Sequence, residues 1–136
     1  MIERGEFAEL HCLSNYSFLR GASHPEELVY KASDLGYSAI AITDECSYSG
    51  LVKAHVAAKQ CGIKLIVGAE FFVDMTDGEE KNSFENIIML APTRQAYGQL
   101  SAFISKIRRK NQKGNSYLCY EDCQIGLSDC LILWSP

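Results

Sequence analysis

The chain has 136 residues, of which 47% are hydrophobic and 22% are charged, and its formal net charge is −4. This balance is typical of a single globular domain and excludes a disordered chain. The negative charge argues against a protein that coats nucleic acid, since such proteins are usually basic. No stretch approaches the ~18 apolar residues that a membrane span requires, so we expect no membrane association.

The beginning of the chain and its cysteines indicate a cytoplasmic protein. The first residues, MIERGEFAELH, carry charges and lack the apolar segment of a secretory signal. The six cysteines are scattered, without a C-x-x-C pair. In a reducing compartment we therefore expect free thiols.

The first half of the chain predicts alternating strands and helices. Residues 6–13 predict a short strand, and "SHPEELVYKASDLG" predicts a helix with Ser23 and Glu26 as a capping box and Pro25 in its first turn. "YSAIAITD" predicts a second strand, "SYSGLVKAHVAAKQCG" a second helix, and "KLIVGAEFFVD" a third strand. This order with short connections indicates parallel strands joined by right-handed crossovers.

The second half predicts a hairpin, a long helix and a final strand. "FENIIMLAP" predicts a fourth strand that pairs with the end of the third, and "TRQAYGQLSAFISKIRRKN" predicts a helix capped by Thr93. "QKGNSYLCYEDCQIGLSD" predicts a loop or a weak helix, and "CLILWSP" predicts the last strand. A β/α array with an open edge is typical of an incomplete barrel, so we predict an α/β fold of that kind.

Polar side chains follow the predicted strands, where the functional residues of α/β folds gather. His11 lies at the end of the first predicted strand, Asp44 and Glu45 lie at the end of the second, and Glu70 lies in the third. An imidazole and carboxylates suit zinc, manganese or magnesium, which would activate water for phosphoester hydrolysis. A structural interpretation is also open, in which Asp44 caps the following turn and the glutamates are solvated or pair with Arg20.

The segment "ELHCLSNYSFLRGASHPEELV", together with "AITDECS" and "IVGAEFF", resembles the start of the PHP (polymerase and histidinol phosphatase) domain. It is most similar to the form found in bacterial DNA polymerases of the polymerase III alpha-subunit type, on their error-prone branch. The resemblance runs from about Phe7 to Trp134. It implies a distorted, incomplete TIM-like (β/α)7 barrel of PHP type with mostly parallel strands. Residues 1–136 would form one domain, the N-terminal part of a PHP domain truncated at its C-terminal side.

The resemblance also implies a vestigial metal site. Its active members carry histidine-x-histidine-serine, then aspartate-glycine, threonine-aspartate-histidine and glycine-x-glutamate. This chain has Leu13 in place of the second histidine, Arg20 in place of the aspartate and Glu45 in place of the last histidine. Leucine binds no metal, and the fixed charge of arginine opposes a dication. We therefore expect no cofactor or, if any, a divalent metal. The matching positions are His11, Ser14, Gly21, Thr43, Asp44, Gly68 and Glu70.

For function, the resemblance implies a structural scaffold within an error-prone, damage-tolerant DNA polymerase. The rest of that polymerase would be its partner, DNA would be reached through it, and the catalytic carboxylates would lie elsewhere, in a palm domain. Two alternatives stay open: a metal-dependent phosphoesterase or 3′–5′ exonuclease that uses the four candidate ligands, and a DNA-contacting or partner-binding module. The apolar "CLILW" strand at an open edge also predicts self-association. The candidate DNA contacts, at and after the end of the third helix, are Lys106, Arg108, Arg109, Lys110 and Lys113.

Overall fold

The computed structural model describes residues 7–75, 84–124 and 126–135, so most of the predicted turn "MTDGEEKNS" lies outside the described residues. No helix within these ranges has the length and apolar character needed to cross a membrane. The elements in chain order are β1 (Ala8–Glu9), α1 (Pro25–Asp34), β2 (Ala39–Ile42), α2 (Leu51–Cys61), β3 (Lys64–Asp74), β4 (Phe84–Ala91), α3 (Arg94–Lys110), β5 (Tyr117–Leu118), a 3₁₀ helix (Tyr120–Gln124) and β6 (Leu131–Ser135).

The strands form one sheet in the order β1-β2-β3-β4-β6, with β5 beside β3. The pairs β1–β2, β2–β3 and β3–β5 are parallel, whereas β3–β4 and β4–β6 are antiparallel. The predicted hairpin between the third and fourth strands is confirmed. Along β3, β2 pairs with residues 64–67 and β5 with residues 72–73. The candidate site lies in the gap between those two partners.

The helices cover one face of the sheet and hold its strands in place. α1 and α2 pack on β2 through a cluster that includes Val29, Ile40 and Ala54. α3 packs on β3 and β4, where Leu100 and Phe103 are buried. Fully burying one such large side chain contributes roughly 1.5–3 kcal/mol. The strand ends that carry the candidate site are therefore anchored by well-packed elements.

The first strand is shorter than the predicted residues 6–13, because only Ala8 and Glu9 pair with β2. Farther along, the side chain of Thr43 takes part in the pairing. The backbone N–H of Cys12 donates to Thr43 Oγ1 at 3.0 Å, and the N–H of Thr43 donates to the Cys12 carbonyl at 2.8 Å. The chain thus stays beside β2 without forming a regular ladder.

The predicted capping box of Ser23 and Glu26 is wrong by one position. α1 begins at Pro25, and its N-cap is His24. The backbone N–H of His24 donates to the carboxylate of Glu27 at 2.8 Å. Pro25 lies in the first turn whether the cap is Ser23, as predicted, or His24, as observed. Its missing N–H has no helical partner at either position.

β6 is an edge strand with exposed apolar side chains. Leu131, Ile132 and Trp134 are 56%, 50% and 67% exposed. Among the described strands, β6 pairs with β4 alone, so its outer edge presents unpaired backbone groups. Both features agree with the expectation of an open apolar edge.

Candidate functional site

The candidate site lies where the backbone after β2 continues beside the middle of β3. The N–H of Glu70 donates to the Asp44 carbonyl at 3.1 Å, and the N–H of Cys46 donates to the Glu70 carbonyl at 2.9 Å. Glu45 and Glu70 thereby form an isolated parallel bridge. Cys46 adopts a φ of +43°, a left-handed conformation that non-glycine residues rarely take unless their surroundings impose it.

Glu70 is fully buried, and both of its carboxylate oxygens have side-chain partners. Nε2 of His11 lies 2.5 Å from Oε2, and Nη1 of Arg20 donates to Oε1. A buried carboxylate without such partners would be strongly destabilising. The two basic side chains therefore make the buried position of Glu70 tolerable.

Arg20 contacts both glutamates, which confirms that it pairs with these carboxylates. Its Nη1 donates to Glu70 and, at 3.3 Å, to Oε2 of Glu45. The guanidinium carbon lies 4.8 Å from the ring centroid of Phe72, a cation–π distance. Burial alone would lower the pKa of Arg20, but its hydrogen bonds to Glu70 and Glu45 and their charges raise it above the ordinary value. A permanent positive charge thus lies at the centre of the site.

Asp44 is buried and accepts hydrogen bonds from the loop that follows β1. Its Oδ1 accepts from the N–H of Ser14 and from Oγ of Ser17, and its Oδ2 accepts from Oγ of Ser14, each at 2.7 Å. Both oxygens are therefore occupied by protein donors. Asp44 thus ties the loop after β1 to the end of β2, which differs from the expected cap of the turn that follows it.

Glu45 is half-buried and is held by residues from α3 and from the segment that follows it. Its Oε1 accepts from Oγ of Ser116 at 3.0 Å. Arg108 of α3 donates from Nε to the Cys46 carbonyl at 2.8 Å and from Nη2 to the Glu45 carbonyl at 3.3 Å. The long helix thus fixes the irregular backbone that positions Glu45.

The carboxylates in this arrangement do not fit a divalent metal. Both oxygens of Glu70, Asp44 and Glu45 accept hydrogen bonds from protein donors. Within the described ranges, no group of three or more histidine, cysteine, aspartate and glutamate side chains is placed to hold a metal ion. Cys46 offers no thiolate, because burial raises the pKa of its thiol to about 11 although nearby Arg108 acts in the opposite direction.

The basic residues near the end of α3 are largely engaged within the protein. Lys110 Nζ lies 2.6 Å from Oδ2 of Asp122, and Lys106 Nζ lies 3.8 Å from its Oδ1. Arg108 binds the carbonyls beside the candidate site, and Arg109 Nε donates to a carbonyl of its own helix at 3.3 Å. Lys113 is exposed. DNA contact by these five residues remains a prediction.

Several residues of the site were not singled out from the sequence. Phe72 follows Glu70 by two positions, so the alternation of a strand places both on the same face, and that signal was available. Ser116 lies 71 residues after Glu45 and carries no sequence signal for this contact. Ser17 lies shortly before Arg20, but nothing in the sequence indicates its contact with Asp44.

Two solved structures share this architecture. One is a Bifidobacterium adolescentis protein described as a candidate metal-dependent phosphoesterase, with a TM-score of 0.57, 22% identity, and coverage of 76% of this chain and 34% of that one. The other is an amidohydrolase from Chromobacterium violaceum with bound sulfate and no metal, with a TM-score of 0.56, 29% identity, and coverage of 75% and 33%. The fold is that of an incomplete TIM-like β/α barrel, which confirms the predicted fold class.

The chain belongs to the PHP domain family, whose model matches residues 9–130. Similar curated relatives are the error-prone DNA polymerases of Saccharophagus degradans, 51% identical over 131 residues, and of Dechloromonas aromatica, 50% identical over 136 residues. Each match covers 96% of this chain and 12% of the relative. The chain therefore spans about an eighth of the length of these relatives, and its resemblance to a PHP domain of the error-prone branch is confirmed.

Proposed function

We propose that this chain is the PHP-domain part of a longer error-prone DNA polymerase of the polymerase III alpha-subunit type, in which it serves as a structural scaffold without catalytic residues of its own. The observation that carries the proposal is the contact of Arg20 with both Glu45 and Glu70. An internal cation pairs with the carboxylates that would otherwise attract a metal and offsets part of their charge. The site then stabilises the fold and performs no hydrolysis.

The length of the relatives supports the proposal that this chain is part of a longer polymerase. They are about eight times as long as the segment that matches this chain. Residues 1–136 would be the N-terminal part of one PHP domain, and template-directed nucleotidyl transfer would use carboxylates outside it. The partner would be the rest of the polymerase, DNA would be reached through that partner, and the setting would be the cytoplasm. The domain itself would use no metal cofactor.

A metal-dependent phosphoesterase or 3′–5′ exonuclease is the second candidate function. It is favoured by the similarity of the fold to a protein described as a candidate metal-dependent phosphoesterase. His11, Asp44, Glu45 and Glu70 would be its ligands. Against it stand the protein donors that occupy the oxygens of these carboxylates.

The test is hydrolysis of bis(p-nitrophenyl) phosphate and of single-stranded DNA by the metal-loaded chain, with zinc, manganese and magnesium tried separately. The scaffold proposal expects no rate above that of the matched variant His11→Ala. A metal-dependent rate that disappears in His11→Ala would refute the scaffold proposal and establish the hydrolase.

A DNA-contacting surface near the end of α3 is a weaker alternative. Lys106 and Lys110 already pair with Asp122, which reduces the positive charge that they present to a phosphate. Fluorescence anisotropy with labelled DNA is expected to detect no salt-dependent binding by the chain. Binding that weakens with salt and is lost in the double variant Lys113→Ala with Arg109→Ala would favour a DNA-contacting function over the scaffold.

A further inference from the structure

The turn formed by residues 16–20 carries two unusually exposed apolar side chains. Phe18 is 83% exposed and Leu19 is 89% exposed, more than any other large hydrophobic residue in the described part of the chain. The two are adjacent at the tip of the turn, which is closed by the N–H of Arg20 donating to the Ser17 carbonyl at 3.0 Å. These side chains contribute little to the core of the chain itself.

The backbone of this turn is held in a conformation that its sequence does not favour. Leu19 has a φ of +62° at the third position of the turn, where glycine or asparagine is preferred. A bulky residue with positive φ is uncommon and persists only when the surroundings fix it. Packing within the chain does not explain this conformation, because the leucine side chain is exposed. The shape of the turn therefore points to a role outside the core of the chain.

The candidate site fixes both ends of the turn. On one side, Ser17 Oγ donates to buried Asp44 at 2.7 Å. On the other, Arg20 is bound by Glu45 and Glu70. Gly21, which follows, approaches the Ser14 carbonyl so closely that a Cβ there would lie 2.0 Å from its oxygen. The site residues thus preorganise the turn.

We infer that residues 16–20 form a preformed docking knob, and that Phe18 and Leu19 insert into an apolar socket on the remainder of the polymerase polypeptide. This inference rests on the proposed function. Rigid aromatic and aliphatic anchors bind with little loss of conformational entropy and often dominate protein interfaces. About seven-eighths of the length of the relatives lies outside the matched segment, and that remainder would contain the apolar socket. Nucleic acid fits less well, because the nearby Arg20 and Arg108 are engaged within the protein.

Photo-crosslinking in the polymerase polypeptide that carries this chain tests the inference. p-Benzoylphenylalanine is introduced at Phe18 and, as a matched control, at Val52 of α2, which is 73% exposed. We expect position 18 to crosslink to peptides outside residues 1–136, at least tenfold more than position 52, as read by mass spectrometry. Crosslinks only within the chain, only to a second copy or only to DNA, or equal yields at both positions, would overturn the inference.

A double variant, Phe18→Ser with Leu19→Ser, gives a second readout. It is expected to leave the melting temperature of the 136-residue chain unchanged and to lower that of the polymerase polypeptide. An equal loss in both would mean that the turn supports only its own domain and would overturn the inference. Failure of the proposed function would appear instead as metal-dependent hydrolysis by the chain. Neither crosslinking nor the double variant measures hydrolysis, so this failure can be told apart from failure of the docking inference.

Discussion

Arg20 replaces, within the protein, the positive charge that a bound cation would bring to a group of carboxylates. A guanidinium presents several donors in a fixed plane and keeps its charge at any physiological pH. Here it contacts Glu45 and Glu70 while lying over Phe72, and His11 takes the remaining oxygen of Glu70. The carboxylate oxygens of both glutamates are thereby paired with side chains that belong to the site.

The variant Arg20→Ala is expected to lower the free energy of unfolding by about 2–3 kcal/mol. Removing one partner of a buried ion pair costs roughly 3–5 kcal/mol, and the partial exposure of Arg20 reduces that cost. Urea denaturation measures the change. The control is Arg109→Ala, which removes an exposed arginine and is expected to cost less than ~0.5 kcal/mol. Equal stability of the two variants would show that the pairing with Glu70 contributes nothing.

Asp122 predicts a specific dependence of stability on acid pH. Burial alone would raise its pKa, but hydrogen bonds from Lys110 and Cys119 lower it from 3.8 to about 2. Because the folded state binds this proton more weakly than the unfolded state, the ionised carboxylate stabilises the fold above pH 3.8. That contribution is lost as the pH falls from 3.8 to about 2.

The stability difference between the wild type and Asp122→Asn is therefore expected to be largest near neutral pH and to disappear toward about pH 2. Urea denaturation at several pH values measures it. Glu121→Gln, which removes an exposed carboxylate from the same 3₁₀ helix, should follow the wild-type profile. A difference between wild type and Asp122→Asn that stays constant down to pH 2 would be inconsistent with an ion pair between Lys110 and Asp122.

At the residue scale, the sequence was informative where a residue breaks a pattern. Arg20 and Leu13 stand at positions where the resemblance to the family implies metal ligands, and from that contrast the pairing of Arg20 with a glutamate was predictable. Ser116 was not predictable, because its contact with Glu45 depends on how β5 folds back beside β3. Contacts between residues far apart in sequence need the tertiary fold.

At the element scale, the helices and long strands were predictable because their signals are local. The bounds of β3 agree with the predicted "KLIVGAEFFVD", Thr93 caps α3 through a bond from the Ala96 N–H at 3.1 Å, and Gly62 ends α2 with a φ of +74°. β5 was missed because two residues carry no periodicity. β1 was predicted too long because a side-chain contact of Thr43 replaces part of its ladder.

The turn of residues 16–20 gives a prediction at the element scale. Leu19→Gly is expected to stabilise the 136-residue chain by up to about 1 kcal/mol, since a left-handed conformation costs a non-glycine residue roughly 1–2 kcal/mol and glycine loses more entropy on folding. The leucine side chain is 89% exposed, so few contacts are lost. Thermal denaturation measures the change, and Leu19→Ala, which keeps the strain, is expected to have no effect. Destabilisation by Leu19→Gly would mean that the side chain packs within the chain.

At the scale of the whole molecule, the open edge at β6 predicts self-association of the 136-residue chain. Ile132 and Trp134 are exposed beside unpaired backbone groups, a combination that favours pairing with another strand. We expect sedimentation velocity at tens of micromolar to detect dimers or larger species, and the double variant Ile132→Ser with Trp134→Ser to reduce them. Tyr120→Ser, at a residue that is 68% exposed but lies outside the strands, is the control. A sharp monomer peak for the wild type would contradict this prediction.

In this PHP-family fold an arginine lies between the carboxylates of the candidate site, and residues of that site fix a protruding apolar turn. On the proposed function, the site would position surfaces for the rest of a longer polypeptide. The central claim is that Arg20 takes the place of a metal.

The metal content of the chain tests that claim most directly. The protein is purified without a metal-affinity step, dialysed against trace zinc and manganese, and analysed for bound metal per chain by mass spectrometry. The account predicts a ratio well below one for the wild type and for His11→Ala alike. A ratio of one or more that falls in His11→Ala would contradict it, because the site residues would then hold a metal despite the presence of Arg20.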